Sequence, residues 1–114
     1  MKIDKSLVSG STTMLILKLL SSEDMYGYQM IEQLELRSEN VFTLKAGTLY
    51  PLLHKLEQQG ILISYEKKAE NQKQRKYYSI TDTGKGLLDK KRQEWSTYTE
   101  GVNKVLGGIN FETF

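Results

Sequence analysis

The sequence predicts a mainly helical α+β fold: three helices and a β-hairpin, followed by one long terminal helix. Three observations predict it. Leu49, Leu52, Leu53 and Leu56 recur at i, i+3, i+4 and i+7, which gives one helix an apolar face and leaves the opposite face polar. Two short runs rich in β-branched and aromatic residues, Gly60–Glu66 and Lys76–Ile80, flank a charged segment. From Thr81 onward a periodic helical pattern continues to Gly107-Gly108.

A first helix is expected over Lys5–Ser21, capped by Asp4, with Gly10 and Ser11 bending or restarting it. Met14, Leu15, Ile16, Leu17, Leu19 and Leu20 make it apolar on nearly all sides, as a central helix requires. Leu7 and Val8 precede the break, where one small core hardly needs them, and are assigned to a subunit contact. A second helix is expected from Met25 to about Arg37, capped by Asp24 and burying Met30, Ile31 and Leu34. Ser38–Thr43 forms the next turn, with Asn40 left-handed, Val41 and Phe42 tucked inward, and Thr43 capping the third helix.

The third helix carries Gly47, Thr48, Tyr50, Pro51, His54, Lys55 and Gln58 opposite its leucines. These are small, hydroxyl, amide or basic groups without a carboxylate, the donors that a groove-reading helix needs. A solvated polar face with no further task has the same pattern. Pro51 creates a conflict, because a helix from Thr43 puts its ring against the Gly47 carbonyl. Either Gly47 gives way, the alternative favoured here, or Thr48 caps a shorter helix. Gly60 closes the helix in a left-handed conformation.

Between the two strands, Lys67–Lys76 holds five basic residues against one acid, Glu70, and no large apolar side chain, so an exposed hairpin tip is expected. Helix, helix, helix, strand, charged loop, strand is the winged helix-turn-helix arrangement, assigned to residues 1–81. The terminal helix, assigned to 82–108, has Leu88, Trp95 and Val102 seven apart, with Lys91, Tyr98 and Val105 as the companion seam. So small a winged domain cannot cover that seam, and a second copy of the chain is the expected partner, giving a twofold dimer. Residues 109–114 form a short tail.

Gly-Thr-Leu-Tyr-Pro-Leu-Leu at 47–53, Leu-Glu-Gln-Gln-Gly-Ile-Leu at 56–62 and Arg-Lys-Tyr-Tyr-Ser-Ile-Thr at 75–81 stand in order, and over Leu7–Leu106 the chain resembles the PadR family of bacterial transcriptional regulators. In its single C-terminal helix it resembles the short form of that family. The resemblance implies a dimeric DNA-binding regulator, some members being repressors released by drugs or phenolic compounds. It also places Tyr28 beside the DNA backbone, although a tyrosine merely packed at a helix start fits the residues as well.

The DNA-contacting residues expected on this basis are Tyr28, Lys45, Gly47, Thr48, Tyr50, Pro51, His54 and Lys55, with Lys67, Lys68, Lys73, Arg75 and Lys76 of the wing supplying sequence-independent attraction. A merely solvated charged turn is the commoner fate of such a loop. The target would be an inverted repeat on double-stranded DNA. Trp95 has two readings, a hydrophobe filling the dimer core or part of a clamp for a planar aromatic ligand. Lys91, Arg92, Thr99, Leu7 and Met14 are candidate neighbours in that clamp. Dimer contacts are assigned to Leu88, Trp95, Tyr98, Val102 and Val105.

With 39% hydrophobic and 26% charged residues the chain reads as globular. A formal charge of +2 decides nothing; its placement does. There is no cysteine, hence no disulfide or thiolate metal site, and no apolar run long enough to span a bilayer, so a cytoplasmic protein without membrane contact is expected. A single histidine, no tied nucleophile and no phosphate loop argue against an enzyme, and no catalytic residue, metal or cofactor is assigned. Two rival readings remain: a winged-helix module for protein contact that binds no DNA, and a DNA-binding regulator without an effector. Salt-dependent duplex binding discriminates the first, and insensitivity to aromatic compounds supports the second.

Overall fold

The computed structural model describes residues 3–107. Five helices and three strands follow in the order α1 (Lys5–Ser9), α2 (Thr12–Ser22), β1 (Met25–Tyr26), α3 (Gly27–Arg37), α4 (Ala46–Gln58), β2 (Leu62–Lys68), β3 (Gln74–Ile80) and α5 (Asp82–Leu106). The strands form one antiparallel sheet in the order β1-β3-β2. This is a winged helix-turn-helix domain with a long C-terminal helix.

The opening helix is broken where Gly10 and Ser11 stand, and Asp4 caps its first piece by accepting from the Ser6 backbone N–H at 2.9 Å. The Ser6 bonds hold the Asp4 carboxyl below the usual carboxylate range. Ile16, Leu17, Leu19 and Leu20 of α2 are buried, and Met30, Leu34, Leu49, Leu53 and Leu56 close around them. Ile31 and Phe42 pack partly against this core.

Several expectations need correction. The second helix begins at Gly27, because Met25 and Tyr26 pair with Tyr78 and Tyr77 as an edge strand. Two residues are too few to show a strand period, but burial of Met25 beside Tyr78 favours the pairing. Asp24 does not cap α3; its carboxylate accepts from the Tyr65 hydroxyl at 2.6 Å, and that bond pushes the phenol pKa up to about 12. Asn40 is left-handed as expected, and Glu39 joins it. Val41 is exposed, and Leu44 is the turn residue that enters the core instead.

Thr43 does not cap α4. The helix starts at Ala46 with Lys45 at its N-cap, and the Thr48 and Leu49 N–H groups both donate to the Lys45 carbonyl. Pro51 thus falls in the second turn of a helix shorter than the one favoured above, with the Gly47 carbonyl denied a donor from the ring nitrogen. Gly60 takes its left-handed conformation just past the helix end.

The wing strands run further than expected, so that Lys67, Lys68, Gln74 and Arg75 join Lys76 as strand residues and only 69–73 turn. Opposite charges support the last expected rung, Glu66 across from Lys76, and the pairing continues beyond it. The like-charged rung, Lys67 across from Arg75, is relieved by tyrosines: the Lys67 ammonium lies 4.7 Å from the Tyr77 ring and the Arg75 guanidinium 5.3 Å from the Tyr26 ring.

Thr81 ties the last helix to the rest. Its hydroxyl lies 2.7 Å from the Gly60 carbonyl oxygen and accepts from the Gly84 N–H at 3.0 Å. A side chain at Gly84 would meet the Ile61 carbonyl and Ile80, so α5 leaves the hairpin in close contact. The helix then ends at Gly107 in the left-handed conformation. The assigned tail, 109–114, lies outside the described residues.

Candidate nucleic-acid interface

Helix α4 presents its two faces as its leucine spacing requires. Leu49, Leu53 and Leu56 are buried, while Gly47, Thr48, Tyr50, Pro51, His54, Lys55 and Gln58 are exposed. Lys45, at the N-cap, is exposed as well. No carboxylate interrupts these exposed positions, so a polyanion meets only neutral and basic groups along the helix.

Tyr50 is exposed yet positioned. Its ring lies across Gly27, where an added Cβ would come within 2.6 Å of the ring carbon bearing the hydroxyl. The side chain therefore runs to the N-terminal end of α3, where Tyr28 also stands exposed. The glycine makes this approach possible, and the residues 23 positions apart place two phenols at one end of the reading surface.

The wing divides into two sets of cations. Lys68 and Lys73 are exposed near the turn, which closes through Ala69 and Gln72 with an Asn71 side-chain oxygen accepting from the Lys73 N–H. Arg75 instead lies against Tyr26, its Nε buried without a hydrogen-bond partner. Lys76 is engaged by Glu57 at 3.6 Å and lies 5.6 Å from the Tyr78 ring. Of the five expected wing cations, Lys68 and Lys73 stand free of such partners among the described residues, whereas Lys67 lies over the Tyr77 ring.

Along α5 the assignment also divides. Leu88 is 5% exposed and belongs to the core of its own chain. Trp95, Tyr98, Val102 and Val105 are exposed, Val105 to 88%, and Leu106 extends the same apolar stretch. Leu7, Met14, Lys91 and Trp95 line one groove of about 280 Å³ between the N-terminal helices and α5, together with Ser6, Gly10, Glu94 and Tyr98. Arg92 and Thr99 are outside its lining; the Thr99 hydroxyl turns back to the Trp95 carbonyl at 2.9 Å. Glu94 offsets Lys91 there, so the groove carries both signs of charge.

The sequence pattern of the transcriptional regulator PadR-like family matches residues 16–90, from within α2 to the first turns of α5. The chain is a member of the PadR-like family. A PadR-like transcriptional regulator from Bacillus cereus has the same fold with a TM-score of 0.80 and 29% identity, covering 91% of this chain and 99% of that one. A PadR family regulator from Eggerthella lenta gives a TM-score of 0.77 at 36% identity, over 91% and 88% of the two chains. A transcriptional regulator from Mycobacterium tuberculosis is 31% identical over 82% of this chain and 80% of its own length.

Membership makes this PadR-like chain a transcriptional regulator with a DNA-binding winged helix, and its relatives are regulators rather than enzymes. Among the described residues no group of three His, Cys, Asp or Glu side chains is placed to hold a metal ion. No helix among them is long and apolar enough to cross a membrane.

Proposed function

We propose that this PadR-like regulator is a repressor that binds an inverted-repeat operator as a homodimer. The uninterrupted exposed face of α4 carries this reading: Thr48, Tyr50, His54, Lys55 and Gln58 are all exposed and would enter a major groove. Residues 1–81 would read DNA and 82–108 would pair two copies. Apolar positions on α5 from Trp95 to Leu106, which the chain itself leaves uncovered, support the pairing. Two reading helices so joined would lie about 34–36 Å apart, one duplex turn.

Lys68 and Lys73 supply the sequence-independent share of the affinity. Replacing both with alanine is expected to flatten the dependence of log affinity on log salt by about 1.8, two phosphate contacts at roughly 0.9 each. Fluorescence anisotropy with a labelled duplex between low and moderate salt measures this. An unchanged slope would favour a winged-helix module whose basic hairpin does not touch DNA.

The groove at Trp95 supports the ligand reading. A planar aromatic molecule there would lie between the indole and Leu7 or Met14, close to where two copies of α5 would approach. Release of DNA follows if the ligand prefers a dimer whose reading helices no longer match successive grooves, by no more free energy than that preference. Titration with flat aromatic compounds is expected to quench Trp95 emission and weaken operator binding together. Emission that no such compound alters would leave a regulator without this effector.

A further inference from the structure

The exposed face of α4 excludes carboxylates, but one stands at its border with the wing. Glu57 lies three residues after His54, in the last turn of α4, and reaches both long strands. Its Oε2 accepts from the Ser64 hydroxyl on β2 at 2.5 Å, and its Oε1 lies 3.6 Å from Lys76 Nζ on β3. The Ser64 bond fixes the carboxylate in place and, with Lys76 and His54 behind it, holds its pKa below the usual range. Lys76 keeps 52% of its side chain exposed, so its ammonium is near enough to solvent for a phosphate to compete.

We infer that Glu57 is a specificity-determining residue that holds Lys76 away from sequence-independent phosphate contacts and thereby weakens binding to random duplex more than binding to the operator. This rests on the DNA reading proposed above. Non-specific complexes draw essentially all their affinity from phosphate contacts and let the protein settle wherever its cations reach. On the operator, contacts from α4 to base edges fix the register, and a freed Lys76 gains only what that register allows. An anion at the joint therefore lowers the first affinity more than the second, a repulsive element acting against the wrong partner.

The test uses the full chain on a random duplex and on the DNA upstream of its own coding sequence, over a range of salt. Glu57→Gln keeps an acceptor for Ser64 and removes the charge. It is expected to tighten random-duplex binding roughly two- to five-fold, as an exposed ion pair's modest strength allows. It should also steepen the salt slope by about 0.9, with a smaller gain on the upstream DNA. Adding Lys76→Ala should remove the gain. Lys76→Gln alone, which does not depend on how Glu57→Gln folds, should flatten the random-duplex slope by clearly less than about 0.9.

An unchanged slope in a folded Glu57→Gln, a gain that survives Lys76→Ala, or a full loss of about 0.9 in Lys76→Gln would each overturn the inference while leaving duplex binding intact. If the unaltered chain binds neither DNA, the DNA reading itself falls and takes the inference with it.

Discussion

Val102→Asp is expected to leave the chain monomeric and to weaken operator binding by about 100-fold or more, because two linked half-site contacts become one. Val102 lies seven residues beyond Trp95 and borders Tyr98, Val105 and Leu106 in one groove of about 530 Å³ on α5. In a twofold pair the two aspartates would face like charge in a desolvated seam, a cost that the modest apolar area there cannot offset. The winged domain should survive, since α5 joins its core through Gly84 and Leu88, well before this point. Sedimentation gives the mass, anisotropy the affinity, and circular dichroism should still show the helices.

Leu53→Ala should act through the buried face of α4, by stability rather than contact. Leu53 is fully buried in the core while its neighbour His54 is exposed. Removing the buried side chain is expected to cost about 2–5 kcal/mol, transfer and cavity together. At fixed protein concentration that lowers Tm by roughly 10–20 °C for a domain of this size. His54→Ala, one residue on, should change Tm little and be felt instead in DNA binding. Equal melting of the two variants would mean that α4 does not pack by its leucine face.

The leucine spacing of α4, the left-handed Gly60 and the start and span of α5 were all legible in the sequence because each is set by local chemistry. What stayed hidden depends on residues far apart in the chain. Asp24 looks like a helix cap until Tyr65, 41 positions away, takes its carboxylate. Likewise, Met25 and Tyr26 read as a helix start because nothing local announces β3 beside them.

A charge run shows its sign but not its geometry. Lys73, Arg75 and Lys76 look equivalent in sequence, yet strand alternation places Arg75 beside Tyr26 and Lys76 beside Glu57. The seven-residue period of α5 shows which positions share a face without showing what covers them. Leu88 is covered by its own core and Val105 is not. The candidate interface was therefore more legible on α4, where one helix sets the face, than on the wing or the groove, where several elements converge.

Hydroxyl-radical footprinting on the DNA upstream of the coding sequence tests the central claim most directly. The unaltered chain should protect two symmetry-related stretches on one side of the duplex, their centres about 10 base pairs apart, and Val102→Asp should lose that paired pattern at the same protein concentration. A single protected stretch, or an even coating that vanishes with salt, would contradict an operator read by two coupled helices.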